Sequence, residues 1–153
     1  RRRDRLGNVC GNRGCLEALA SGPAIARWVE EQIQQGAATS VAAEGSLSAR
    51  EIAAAARQGD SLCREALARA GRFIGQALAD YVHIFNPSVI IIGGGVSQAG
   101  DLLFDPLRAS LAEHIISPAY LQNLTLTPAQ FGDEAGLIGA LAQARQCYPS
   151  ADF

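Results

Sequence analysis

The run Val89-Ile90-Ile91-Ile92-Gly93-Gly94-Gly95-Val96-Ser97 constrains the fold of this chain more than any other stretch. Four consecutive branched apolar residues without polar alternation predict a strand buried on both faces, as in a sheet covered by helices. Three glycines stand at its carboxyl end. Lacking a Cβ, glycine lets the backbone turn sharply and lets a flat or charged ligand approach it. A strand that ends in glycines and leads towards a helix is a usual nucleotide-binding place in α/β proteins. From these residues alone two readings stay open, a nucleotide site and a tight strand-to-helix turn.

The remaining pattern is mostly helical. A short turn begins near Cys15 and carries Leu16, Leu19 and Ala20. After Ser21-Gly22-Pro23, the proline suits the first turn of a helix that places Ile25, Trp28, Val29 and Ile33 on one face. That helix runs to about Gln35, with Gly36 as its stop and Trp28 as a packing anchor. Residues 37–47 read as a loop. Ser48-Ala49-Arg50-Glu51 has capping-box form and opens an alanine-rich helix to about Gln58. Asp60 caps a long helix whose apolar stripe runs through Leu62, Ala66, Leu67, Ala70, Phe73, Ile74, Ala77, Leu78, Tyr81 and Val82. Gly71 and Gly75 interrupt that helix at a cost of about 1 kcal/mol each, and predict the close approach of another helix or a ligand. His83 reads as a packed or hydrogen-bonded side chain, and Asn86-Pro87 as the helix end.

Beyond the glycines, Gly100-Asp101 leads into an apolar helix. Asp105-Pro106 is expected to restart it as cap and first residue, running to about Ile115, with His114 favourably near the negative helix end. Leu124-Thr125-Leu126-Thr127 alternates as a strand stopped by Pro128. Asp133 is expected to cap a last helix from Glu134 to about Gln146. Two strands do not make an independent sheet with five or six helices around it. The expected fold class is therefore α/β, helix-rich and short of strands.

At 153 residues the chain suits one domain, and 48% apolar against 18% charged residues mark it as globular. A net charge of −2 argues against a general nucleic-acid binder. Arg1, Arg2, Arg3 and Arg5 read as a solvated tail. No apolar run approaches the roughly 20 residues that span a bilayer, and no signal pattern opens the chain, so a cytoplasmic location is expected. Of four cysteines, Cys63 reads as a small buried apolar residue and Cys147 has no assignable partner. Cys10 and Cys15, close together in a glycine-rich loop, suggest metal more readily than a disulfide. Glu17, at a helix start, is favoured there by the helix dipole.

Three segments then fall into one order. Cys10-Gly11-Asn12-Arg13-Gly14-Cys15-Leu16-Glu17 resembles the signature of the ROK family (repressors, open reading frames and sugar kinases). Ile91-Ile92-Gly93-Gly94-Gly95-Val96-Ser97-Gln98-Ala99-Gly100-Asp101 resembles that family's adenosine-binding segment. Gly132-Asp133-Glu134-Ala135-Gly136-Leu137-Ile138-Gly139-Ala140 resembles its closing helix. The resemblance covers about residues 8 to 146 and corresponds to the carboxyl-terminal part of a ROK protein, in an actin-like (ribonuclease-H-like) sugar kinase fold. It divides the chain into a loop with a degenerate Cys motif (1–14), the carboxyl-terminal lobe (15–146) and a tail (147–153).

The resemblance implies an ATP-dependent hexose kinase, glucokinase-like, with Mg²⁺ in the parent enzyme. Gly93, Gly94, Gly95 and Val96 would form its nucleotide site, and Glu17 would bind a sugar hydroxyl. It implies as the alternative the sugar-sensing lobe of a transcriptional repressor, which would add nucleic acid to the partners. The family's Asp-x-Gly-x-Thr phosphate loop and its Asn-Asp pair, whose aspartate is the general base, are absent from this sequence, so the chain alone is expected to be inactive. Family members hold zinc with a histidine and three cysteines. Here Cys10 and Cys15 match two of these, Asn8 stands in place of the first cysteine, and the histidine has no counterpart. Two thiolates leave that zinc site half-built. The uncovered edge beside residues 89–92, with the family's tendency to pair through this part, predicts a homodimer.

Overall fold

The computed structural model describes residues 14–41 and 47–147. Cys10, Asn8, the arginine tail and the carboxyl-terminal residues 148–153 lie outside the described residues, as does the centre of the loop expected over 37–47.

Helix α1 (Leu16–Ala20) is one short turn with Cys15 at its N-cap. Ser21 caps α2 (Gly22–Gln34) by accepting from the Ala24 N–H at 3.3 Å, and Pro23 sits in the first turn, where its missing N–H costs nothing. Gly36, at φ +91°, ends it. Ser48 and Glu51 close the expected capping box on α3 (Ala49–Arg57), the Ser48 hydroxyl accepting from the Glu51 N–H and Glu51 reaching back to the Ser48 N–H at 2.8 Å. Those bonds to Ser48 hold the Glu51 carboxyl below its usual range.

Helix α4 (Ser61–Phe85) is the spine of the molecule. Its cap, Asp60, is also a tether. Oδ1 accepts from the Cys63 N–H at 2.9 Å, while Oδ2 accepts from the Ser40 N–H at 2.5 Å and from the Thr39 and Ser40 hydroxyls at 2.8 Å each. Burial by itself pushes this carboxyl up, yet these donors together hold it well below the usual carboxylate range. The carboxylate thus gains stability on folding above about pH 4, its unfolded value, and loses it as pH falls towards the lower folded one. Asp60→Ala is expected to cost about 1–2 kcal/mol at pH 7. In urea unfolding at pH 7, 5 and 3 the gap to the wild type should shrink at pH 3; a constant gap would contradict this role. Burial pushes the neighbouring Cys63 thiol up to about 11, and the residue is fully buried, as its helical setting predicted.

The α4 stripe is buried or half-buried as expected except at Tyr81. Tyr81 lies 52% exposed near the helix end and stacks on Phe85 at 6.4 Å between ring centroids. Trp28 packs against the core, and Arg69 lies over both Trp28 and Phe73, 5.6 and 4.8 Å from their ring centroids. Asn86, at φ +42°, ends α4 in the left-handed region. His83 is hydrogen-bonded as expected. Its Nε2 accepts from the Ile116 N–H at 3.1 Å, and its ring meets Tyr120 edge-on.

Strand β1 (Val89–Ile92) runs parallel to β2 (Thr125–Pro128), with Val89 opposite Thr125 and Ile92 opposite Pro128. Between them run a 3-10 turn (Gly95–Ala99) and α5 (Asp101–His114). The β1 side chains are not buried on both faces. Ile90 and Ile92 pack with Leu126 against α4 and α5, whereas Val89 and Ile91 are 50% and 63% exposed. The reason is that, among the described residues, helices cover one face of this two-stranded sheet only.

Helix α5 differs from expectation too. It does not restart at Asp105-Pro106 but begins at Asp101 and continues through Pro106. The proline gives up one backbone bond, and packing against α4 holds the helix together across it. That packing is close at Gly71 and Gly75. A Cβ on Gly71 would lie 2.5 Å from the Leu103 carbonyl oxygen and 3.1 Å from Pro106 Cγ. A Cβ on Gly75 would overlap the Leu107 carbonyl oxygen and meet Ser110 Cβ at 2.8 Å. The ligand-or-helix alternative at these glycines resolves to a helix. One rung further, the buried Ser110 hydroxyl donates to the Arg72 carbonyl at 2.8 Å.

The chain closes with a 3-10 turn (Gly132–Glu134) and α6 (Ala135–Cys147), one residue later than the expected helix start. No residue of α6 is buried, and Leu137 and Leu141 are 76% and 50% exposed.

Candidate nucleotide cleft and sugar-contact helix

The glycine turn keeps its shape by local bonds and two left-handed residues. Gly94 at φ +86° and Gly100 at φ +63° bracket the 3-10 turn. Within it the buried Ser97 hydroxyl donates to the Gly94 carbonyl at 2.7 Å, and the Ser97 N–H donates to the same oxygen at 3.1 Å. The sequence pattern had singled out Gly93, Gly94, Gly95 and Val96, and the structure sets them out differently. Gly95 and Val96 line a cleft of about 320 Å³. Gly93 sits beside Ala129 at the strand end, and Gly94 is the pivot that directs the turn.

The opposite walls of that cleft are Gly22 and Pro23 at the start of α2, and Ala49, Arg50, Ala53 and Arg57 along α3. Sequence reasoning missed these residues, since nothing local ties α3 to a turn some 40 residues away. Gly22 gives no local signal either: a Cβ there would lie 3.4 Å from Ala49 Cβ and 3.8 Å from Val96 Cγ2, ordinary contact distances. Arg57 donates to the Gln98 carbonyl and so joins the end of α3 to the turn. Among the described residues, the cleft is lined by two arginines and no carboxylate. That is a setting for an anion or for a π-face stacked under a guanidinium.

Glu17 lies in the first turn of α1, exposed to solvent. Arg27 fixes that helix by donating to the Ala18 carbonyl at 2.9 Å. Glu17 stands five positions before Gly22 at the cleft, so it lies no more than about 18 Å away along the chain. Cys15 is half-buried at the head of the same helix, while Cys10 is outside the described residues. The donor set in the sequence, two thiols with an asparagine where a third is needed, does not fit structural zinc. Among the described residues no three His, Cys, Asp or Glu side chains cluster to hold a metal. Among them, too, no helix is long and apolar enough to cross a membrane.

Comparison with known proteins gives a consistent picture. The model of the ROK family matches residues 4–147. The glucokinase of Thermotoga maritima is 37% identical over 135 residues, which is 86% of this chain and 42% of that protein. The DNA-binding transcriptional repressor Mlc of Escherichia coli is 32% identical over 131 residues, 86% of this chain and 32% of the repressor. Among solved structures, a ROK family glucokinase from Streptomyces griseus, in complex with glucose and AMPPNP, superposes with a TM-score of 0.77 at 35% identity. It covers 92% of this chain and 48% of that one. The chain thus spans less than half the length of these relatives.

Proposed function

This chain belongs to the ROK family, and we propose that residues 15–146 are the carboxyl-terminal lobe of one of its ATP-dependent hexose kinases, glucokinase-like. In this reading the chain contributes the adenosine site and one sugar contact. The observation that carries it is the cleft itself, where the Gly95–Val96 turn faces the Arg50- and Arg57-bearing helix α3. Gly93 and Gly94 shape the turn, and Gly95 and Val96 touch the nucleotide. Glu17 accepts hydrogen bonds from sugar hydroxyls, for which an ionised carboxylate has room on both oxygens. The parent enzyme would move the γ-phosphoryl of ATP to a sugar hydroxyl with Mg²⁺ neutralising charge. No residue of this chain is assigned to magnesium. We place the protein in the cytoplasm, in keeping with soluble sugar phosphorylation.

The test uses Gly95 rather than Gly94. At Gly94 any side chain would strain a backbone at φ +86°, so lost binding there would be ambiguous. At Gly95 a Cβ meets nothing within 4 Å and the backbone is unstrained. Gly95→Val is therefore expected to weaken ADP binding at least tenfold in calorimetry, with the thermal midpoint unchanged. Equal affinity in the two proteins would move the nucleotide elsewhere.

A second reading, the sugar-sensing lobe of a transcriptional repressor, is supported by a ROK family transcriptional regulator, a homologue of the E. coli MLC protein. Its structure superposes equally well, with a TM-score of 0.77 at 36% identity, and covers 90% of this chain and 35% of that one. The glycine turn facing two arginines across the cleft favours the kinase. The exposed apolar side chains of β1 and α6 support self-association as a homodimer. Light scattering at micromolar concentration is expected to give twice the chain mass of 16.0 kDa, and a monomer mass would refute pairing.

A further inference from the structure

We infer that Arg57 is a positioning residue for the nucleotide site, holding the glycine turn in its ligand-accepting shape from outside the turn. The inference rests on the nucleotide reading of the cleft and adds to it a residue on a different helix. The turn is bracketed by glycines at positive φ, Gly94 and Gly100; Gly100 is tied into the start of α5, while the Gly94 side, facing the cleft, has only the turn's own bonds. Its own bonds, from Ser97 to the Gly94 carbonyl and from the Gly100 N–H to the Ser97 carbonyl, are local and travel with it. The base of the turn is seated by Ala99 and Ser97, both buried, and by Val96 packed against the core. Arg57 adds a hydrogen bond from a second helix to the turn's far side. Its guanidinium donates to the Gln98 carbonyl, inside the turn and 41 residues away.

The anchor at the other end of that bond is rigid. Helix α3 is capped at Ser48 and Glu51, and Ile52 and Ala56 are fully buried in the core. Arg57 is the last residue of α3, so its bond transmits the position of a packed helix to the turn. A guanidinium suits the task, being always charged and reaching a carbonyl through a planar donor fork. Because Arg57 also lines the cleft, its bond to the turn ties the two facing walls together. Without the bond, only a fraction of molecules would present the turn in the binding geometry. Apparent affinity falls in proportion to that fraction.

The experiment measures ADP binding by calorimetry in the whole chain, for wild type, Arg57→Ala and Arg57→Lys, with amide hydrogen exchange of residues 95–100 alongside. Expected is a loss of about three- to tenfold in affinity for Arg57→Ala, the net effect of one exposed hydrogen bond. Most of that loss should return in Arg57→Lys, since a lysine can still donate to one carbonyl. Exchange at residues 95–100 should quicken in Arg57→Ala while the thermal midpoint stays within about 2 °C of wild type, less than about 1 kcal/mol of stability in a domain this size. Unchanged affinity in Arg57→Ala overturns the inference. So does a loss that lysine fails to restore, which would make Arg57 a direct ligand contact. Should the wild type bind no ADP, the nucleotide reading fails separately, and exchange alone decides. Faster exchange in Arg57→Ala keeps the tether, and identical exchange removes it.

Discussion

Gly75→Ala is expected to lower the stability of this chain by about 2–3 kcal/mol, although alanine is the better helix former by about 1 kcal/mol. The opposition of those two effects makes the result informative. The added methyl would fall on the Leu107 carbonyl and 2.8 Å from the Leu111 nitrogen, which are backbone atoms and have no rotamer to change. Helices α4 and α5 must move apart along their length, and the Ser110–Arg72 hydrogen bond, one rung away, stretches with them. In a domain of this size the thermal midpoint should fall by roughly 5–10 °C. Gly139→Ala, in α6, is the control. Its Cβ meets nothing within 4 Å, so there alanine should raise stability by about 0.5–1 kcal/mol. Urea unfolding of both variants checks the pair. Equal and positive effects at the two sites would mean that α4 and α5 are not in contact at Gly75.

The chain by itself is expected to show no sugar kinase turnover. Its sequence contains no Asp-x-Gly-x-Thr loop to cradle phosphate and no Asn-Asp pair to supply a base. A positioned base alone is worth about 10²–10⁴ in rate, and loss of the phosphate cradle multiplies that deficit. A coupled ADP-release assay with glucose, N-acetylmannosamine and N-acetylglucosamine tests this on the pure protein. Sugar-dependent turnover above about 1 s⁻¹ would mean that residues assigned here to binding also carry the proton transfer.

Binding and catalysis separate cleanly in these expectations, because the candidate cleft needs only α2, α3 and the glycine turn, all present in the chain. A protein that binds ADP and turns nothing over would fit a kinase lobe. It would equally show why the repressor relatives and the glucokinases match this stretch to a similar degree.

The residues of the chain alone determined several features that are closed within four positions. The Ser48–Glu51 box, the Asp60 cap, Pro23 in the first turn of α2 and Asn86 at the end of α4 are such features. Each rests on a hydrogen bond or a steric limit between near neighbours, which the order of residue types specifies by itself. Motif order likewise placed the chain in its family before any geometry was known. Tertiary structure decided what depends on distant partners. Pro106 remains inside α5 because α4 packs against it, and Val89 and Ile91 stay exposed because, among the described residues, helices cover only the other face of the sheet. The site was legible by half. Its turn announced itself by glycines. Its opposite wall, Gly22, Ala53 and Arg57, carries no mark in the local sequence, because that wall exists only once α3 has docked beside a turn some 40 residues further along.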